Sequence, residues 1–243
     1  MVTKEQAAIR FNEVNYNAGD MPILKNITGE FTQGRITTVV GPSGTGKTTL
    51  FKLCNGLLSP DSGDIHINDK HIDSYDPVEL RRTVGLALQS ATMLPGSVRK
   101  NLALPLELQG KHLADEKAKE FLTMVGLDEK ILQRNAKELS GGQRQKLSVA
   151  RTLVNQPDIL LLDEITSSLD QVSKQDMEKL IRNINHEYGT TIIWITHNLE
   201  QARAVGDDAW AMMGGEVLET GDSSFLHHPK NEKISRFVKG EVQ

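Results

Sequence analysis

Short apolar runs separated by amphipathic stretches characterise much of the chain. The runs at residues 35–40, 83–88, 159–162 and 191–195 are predicted as strands. The run at 159–162 is so short and apolar that it suits a parallel strand covered on both faces. The pattern therefore predicts an α/β fold.

Apolar residues at helical spacing follow two of these runs. A helix is predicted over residues 48–58, with its inward face formed by Leu50, Phe51, Cys54, Leu57 and Leu58. A second amphipathic helix is predicted after Asp170, with apolar residues at Met177, Leu180, Ile181 and Ile184.

Three other regions have different patterns. Residues 8–32 are predicted as antiparallel strands, and residues 64–67 continue their sheet. Residues 98–153 have a helical pattern that is more polar than the rest of the chain, with Phe121, Leu122 and Val125 on one face. Strands near 209–212 and 216–218 and a short helix over 234–238 complete the prediction.

Composition limits the classes of protein that fit. A chain of 243 residues, 38% hydrophobic and 25% charged, can bury a substantial core. Its formal net charge of −4 argues against a general nucleic-acid binder, so no nucleic-acid partner is expected. The single cysteine, Cys54, excludes an intrachain disulfide framework. The apolar runs are too short to span a bilayer and the N-terminus lacks a signal-peptide core, so a membrane pathway would belong to another polypeptide.

A phosphate-binding loop is the first candidate for chemistry. The pattern G-x-x-x-x-G-K-[ST] predicts nucleotide-binding residues at Gly41, Pro42, Ser43, Gly44, Thr45, Gly46, Lys47, Thr48 and the following Thr49. Glycines let backbone N–H groups approach phosphate oxygens, and a helix N-terminus favours anions. Lys47 can reach the terminal phosphates and the Thr48 hydroxyl can ligate Mg²⁺, which predicts ATP and Mg²⁺ as ligands. The alternative is a glycine-rich surface turn.

Two acidic residues end the apolar run at 159–162. Asp163 would lie at the carboxyl end of a parallel strand, where ligands bind in open α/β sheets. We assign Asp163 to Mg²⁺ and Glu164 to polarising the attacking water. The alternative for such a pair is an ordinary solvated turn.

Further motifs resemble those of the ATP-binding subunits of ABC transporters over nearly the whole chain. Leu139 and the residues Ser140, Gly141, Gly142 and Gln143 match the signature of that family. Its other motifs have counterparts at Gln89 (Q-loop), Asp170 at the end of the D-loop, His197 (switch histidine) and Tyr16 (stacking on adenine).

The resemblance implies a fold, a set of roles and partners. The fold would be a P-loop NTPase core with an antiparallel β subdomain and a helical subdomain. A single domain would span 1–243, with the core at about 1–88 and 155–243 and the Q-loop and helical subdomain at about 89–154. Ser140 to Gln143, and Asp170, would complete the ATP site of a second copy. Gln89 would bind Mg²⁺ and act in catalysis with His197.

The implied partners are a second copy and an integral membrane permease, on the cytoplasmic face of the membrane. Each motif has a plainer interpretation. Ser140 to Gln143 could form a flexible linker, and His197, Gln89 and Tyr16 could be structural residues. His66, His71, His112, His227 and His228 could suggest a metal site, but surface histidines fit their spacing better.

Departures from the common pattern bear on direction of transport. Ile165 stands where many relatives have proline, and Trp194 precedes Thr196 and His197. This form resembles small Fet-type ATPases linked to iron export, and residues 90–98 are similar to those of exporters. The chain ends too soon after His197 for an added regulatory β domain. An ATPase driving an exporter, with metal efflux as one case, is therefore expected. The alternatives are an importer ATPase for a small solute such as an amino acid or phosphate, and a soluble ABC ATPase such as an iron–sulfur assembly scaffold.

Overall fold

The computed structural model describes residues 6–241, and these residues form two sheets and eight α-helices. The strands are β1 (Ala7–Ala18), β2 (Met21–Thr32), β3 (Ile36–Val40), β4 (Ser62–Ile67), β5 (Lys70–His71), β6 (Val84–Ala87), β7 (Ile159–Asp163), β8 (Thr191–Ile195), β9 (Asp208–Met213) and β10 (Glu216–Asp222). The helices are α1 (Lys47–Cys54), α2 (Pro77–Thr83), α3 (Val98–Glu107), α4 (Asp115–Met124), α5 (Gly141–Leu153), α6 (Gln171–Tyr188), α7 (Leu199–Val205) and α8 (Glu232–Val238).

The larger sheet has the strand order β10-β9-β3-β8-β7-β6, and all its pairings are parallel except that of β10 with β9. Every residue of β3, β7 and β8 is buried, because helices cover both faces of a parallel sheet. The predicted α/β fold is confirmed. Its parallel strands all end at the same edge, so the loops that follow them meet there.

The smaller sheet is antiparallel, in the order β2-β1-β4-β5. One apolar core joins it to the larger sheet through α1, and this core contains Phe31 of β2, Phe51 of α1 and Ile193 of β8. The first helix is thereby held between the two sheets. The antiparallel strands predicted at 8–32 and 64–67 are confirmed.

Helices α3, α4 and α5, with short 3-10 turns at Glu129–Gln133 and Ala136–Glu138, occupy the middle of the chain. Phe121 and Leu147 of these helices share a core with Trp194 of β8 and with α6. All four predicted apolar positions of α6 are buried. No helix among residues 6–241 is long and apolar enough to cross a membrane.

The first helix is shorter than predicted. It ends at Cys54 with Asn55 as its C-cap, and Gly56 follows at φ 66°. Leu57 therefore lies beyond the helix and is 50% exposed, so its predicted inward position is wrong. A left-handed glycine after a helix ends the helical spacing, and the apolar pattern alone does not reveal that break.

Candidate nucleotide site

The phosphate loop connects β3 to α1 and requires glycine at two positions. Gly41 has φ 149°, and a Cβ there would lie 2.0 Å from the backbone oxygen of Met212 in β9. Gly46 is the N-cap of α1 at φ 91°, and its Cβ would lie 2.7 Å from Leu24 Cδ2. Close approach of two neighbouring strands thus fixes the course of the loop. Ser43 and Gly44 at its tip are exposed.

Lys47 begins α1 and is almost fully buried. Its Nζ donates to the carbonyl oxygens of Gly41 and Pro42, at 2.9 and 2.7 Å. Burial lowers the pKa of this ammonium, and the nearby carboxylates of Glu164 and Asp163 oppose that shift. An ammonium has three donors, so one remains for a phosphate oxygen.

Thr48 and Asp163 bring a hydroxyl and a carboxylate together. Thr48 Oγ1 lies 3.0 Å from Asp163 Oδ2, and Asp163 is buried at the end of β7. Burial raises the pKa of this carboxyl, while the hydrogen bond from Thr48 and the charge of Lys47 act in the opposite direction. Hydroxyl and carboxylate oxygens are ligands that suit Mg²⁺. The donor set therefore fits the expected metal.

Glu164 and His197 are in direct contact across the carboxyl ends of β7 and β8. His197 Nε2 lies 2.5 Å from Glu164 Oε1. Glu164 has φ 49°, and its N–H donates to the carbonyl of Ile195 at 3.1 Å. A positive φ is uncommon for a residue with a side chain, and here it turns Glu164 from the strand towards the loop that carries His197.

Gln89 follows β6 at the same edge of the sheet and is exposed. Its Nε2 donates to Ser167 Oγ at 3.1 Å, so the loop after β6 contacts the loop after β7. The edge thus gathers Gly41 to Thr49, Asp163, Glu164, His197 and Gln89, which the sequence placed after separate strands.

The signature residues form the start of α5, and Ser140 is the N-cap of this helix. Ser140 Oγ accepts from the N–H of Gln143 at 3.2 Å, and Gln143 Oε1 accepts from the N–H of Ser140 at 3.0 Å. This capping box fixes the first turn, so the segment is the ordered start of a helix rather than a flexible linker. A Cβ on Gly142 would lie 3.2 Å from Ser173 Oγ, which places the signature beside the start of α6.

Asp170 is the N-cap of α6. Its carboxylate accepts from Ser173 N–H at 3.0 Å and from Ser173 Oγ at 2.7 Å, and these hydrogen bonds hold its pKa below the usual range. Tyr16 is half-buried on β1 opposite Leu24, the residue that approaches Gly46. It therefore lies one strand from the phosphate loop.

Two buried glutamines next to the site residues were not predicted from the sequence. Gln145 of α5 is 3% exposed and donates to the carbonyl of Leu88, next to Gln89. Gln201 of α7 is 2% exposed and accepts from Thr166 and Thr196. The only available signal was a polar residue on the apolar face of a helix, which is weak because such residues are common.

Residues 24–167 match the protein family described as ABC transporter. The ABC transporter ATP-binding protein YjkB of Bacillus subtilis (strain 168) is 45% identical over 219 residues, which cover 90% of this chain and 87% of that protein. The methionine import ATP-binding protein MetN of Rhizobium meliloti (strain 1021) is 37% identical over 89% of this chain and 62% of its own length.

Two solved structures are similar in fold and sequence. CbiO1 of Clostridium perfringens, described as part of the ABC transporter complex cbiONQ, has a TM-score of 0.84 at 28% identity, covering 98% of this chain and 100% of its own. The dimeric ATP-binding cassette MJ0796 bound to ADP and Pi has a TM-score of 0.78 at 29% identity, covering 88% of this chain and 98% of its own.

Proposed function

The chain belongs to the ABC transporter family as an ATP-hydrolysing subunit, and from this premise we propose that two copies close on two molecules of Mg-ATP to move a separate permease. One observation carries the proposal. The loops after three neighbouring strands, β3, β8 and β7, bring a phosphate loop, a metal-binding pair and the Glu164–His197 contact to one edge of the sheet.

The residues of this edge divide the work of hydrolysis. The phosphate loop and the start of α1, from Gly41 to Thr49, bind the phosphates through backbone N–H groups and Lys47. Thr48, Asp163 and Gln89 would hold Mg²⁺, which would neutralise charge on the phosphates. Glu164 accepts the proton of the attacking water, and His197 orients Glu164 and donates to the terminal phosphate.

A second copy completes each site. Ser140 and Gly141 are exposed at the N-terminus of the 13-residue helix α5, where unpaired N–H groups favour an anion. The signature of one copy would then bind the terminal phosphate held by the other, with Gln143 and Asp170 shaping the contact and Tyr16 stacking on adenine. The dimeric form of MJ0796 with ADP and Pi supports this arrangement.

We assign residues 89–154 to a helical subdomain that meets the permease, and 1–88 with 155–243 to the nucleotide-binding core. A groove of about 500 Å³ lies between α2, α3 and α5, and the exposed apolar residues Val78 and Leu108 line it. Arg81, Arg82 and Arg151 also line it, and a mixed apolar and basic surface of this kind suits a protein partner. The chain would then lie on the cytoplasmic face of the membrane, as a peripheral subunit.

We favour export over import, with a metal ion as one candidate cargo. Ile165 and Trp194 support this choice through their resemblance to Fet-type ATPases. Both residues are buried in the shared core, so they act on packing and not on cargo. Similarity to a methionine import ATP-binding protein favours the second candidate, an importer of a small solute.

A deletion strain distinguishes export from import. With export of iron, loss of the gene raises total cell iron under iron load, and the intact gene restores it while Glu164→Gln does not. Unchanged iron together with lost uptake of an amino acid or phosphate would contradict export and support import.

A further inference from the structure

Gln201 joins the two loops that carry Glu164 and His197. Its Oε1 accepts from Thr166 Oγ1 at 3.0 Å and from Thr196 Oγ1 at 2.7 Å. Thr166 lies two residues after Glu164, and Thr196 immediately precedes His197. One side-chain oxygen therefore holds the loop after β7 against the end of β8.

The same amide also reaches α6. Gln201 Nε2 donates to Glu178 Oε1 at 2.9 Å, and its backbone N–H donates to Asn198 Oδ1 at 3.0 Å. Both threonines are at least 96% buried, so water cannot easily replace Gln201 as the hydrogen-bond partner of their hydroxyls. A buried hydroxyl that loses its partner is costly, and this makes the arrangement hard to distort.

We propose that Gln201 is a positioning residue for ATP hydrolysis, which sets the Glu164–His197 contact by fixing the two loops on either side of it. This inference rests on the roles proposed above for Glu164 and His197. The contact between those side chains needs the two loops in register, because a carboxylate and an imidazole must meet within hydrogen-bond distance. Gln201 fixes the relative position of the two loops from a buried site, since it is 2% exposed.

The first test removes the amide. Gln201→Met keeps side-chain volume but leaves both threonine hydroxyls and Glu178 without this partner. We expect kcat to fall roughly ten- to hundredfold, the effect of two hydrogen bonds that place catalytic groups, with the KM for ATP nearly unchanged. Thr166→Val removes one of the two hydroxyls and should lower kcat roughly three- to tenfold.

Thr152→Val is the matched control. Thr152 Oγ1 donates to the carbonyl of Ser148 at 3.1 Å within α5, so this variant loses a similar hydrogen bond without affecting either loop. It should retain wild-type kcat. An equal fall in kcat for Thr152→Val and Thr166→Val would overturn the inference.

Exchange of the amide and carboxylate gives a rescue test. Gln201→Glu alone sets a second carboxylate against Glu178 and should lower kcat. Combining it with Glu178→Gln restores one amide and one carboxylate, with an acceptor still facing both threonines, and should recover most of kcat. A double variant as slow as Gln201→Glu alone would contradict the inference.

A double-mutant cycle with His197→Ala separates this inference from the proposed function. If Gln201 acts by placing the Glu164–His197 pair, Gln201→Met should cost little further kcat once His197 is absent. If the double variant instead loses kcat by the product of the two single losses, the substitutions act independently. That result would overturn the role of Gln201 and leave the proposed function intact. A wild-type kcat for His197→Ala would overturn both.

Discussion

Glu164 combines a left-handed backbone conformation with a short contact to His197. Glu164→Gln fits the same backbone and still accepts from the imidazole, but it cannot take a proton from water. We expect nearly unchanged affinity for Mg-ATP and hydrolysis reduced roughly a hundredfold or more. The measurement is single-turnover ATP hydrolysis beside equilibrium nucleotide binding. Hydrolysis near the wild-type rate would remove Glu164 from the role of base.

Lys47 should matter for binding itself. Lys47→Ala removes a charge-assisted contact to phosphate, worth about 1.5–3 kcal/mol, so ATP affinity should fall by that amount in a titration at fixed Mg²⁺. Lys233→Ala, exposed on α8, is the control and should bind ATP normally. Similar losses in both variants would indicate a general effect of charge and not a phosphate contact.

The residues that bind phosphate and Mg²⁺ can be predicted from the sequence, because this chemistry requires particular residue types at a fixed spacing. Lys47, Thr48 and Asp163 were named from pattern alone, and the structure brings the hydroxyl of Thr48 to Asp163. The partner of Gln89, Ser167, was not predictable, because that contact depends on the register of two separate loops. Gln201 was missed for the same reason.

At the scale of elements, the path of the phosphate loop depends on its contact with β9. Gly41→Ala would force a Cβ against the backbone of Met212, whereas a Cβ on Gly44 meets nothing within 4 Å. Gly41→Ala should lower the free energy of unfolding by about 2–4 kcal/mol, because strands must shift. Gly44→Ala should cost about 1 kcal/mol for its positive φ alone. Urea denaturation measures both, and equal losses would contradict this account.

The central strands β7 and β8 were predictable because burial on both faces makes them apolar throughout. The end of α1 was not. Leu57 continues the helical spacing in sequence, but Gly56 turns the chain and exposes it. Local conformation at one glycine therefore decided a boundary that hydrophobic periodicity could not.

For the whole molecule, we propose that the nucleotide edge and the signature of one chain serve two different sites in a dimer. Ser140 is exposed, and its capping hydrogen bonds to Gln143 leave the start of α5 ordered for a partner. The sequence could identify the signature by resemblance, but it does not identify the cargo, which we propose passes through a separate permease. The feature of this chain that most needs a test is therefore the ATP site shared between two copies.

Light scattering of Glu164→Gln with Mg-ATP tests that claim most directly. We expect a dimer for this variant, since it binds ATP and does not turn over. Adding Ser140→Arg should leave ATP binding to the isolated chain largely unchanged, which serves as the control for folding. It should keep the chain monomeric, because the arginine blocks the start of α5. A dimer that forms equally well with Ser140→Arg, or a Glu164→Gln chain that stays monomeric at saturating Mg-ATP, would contradict the account.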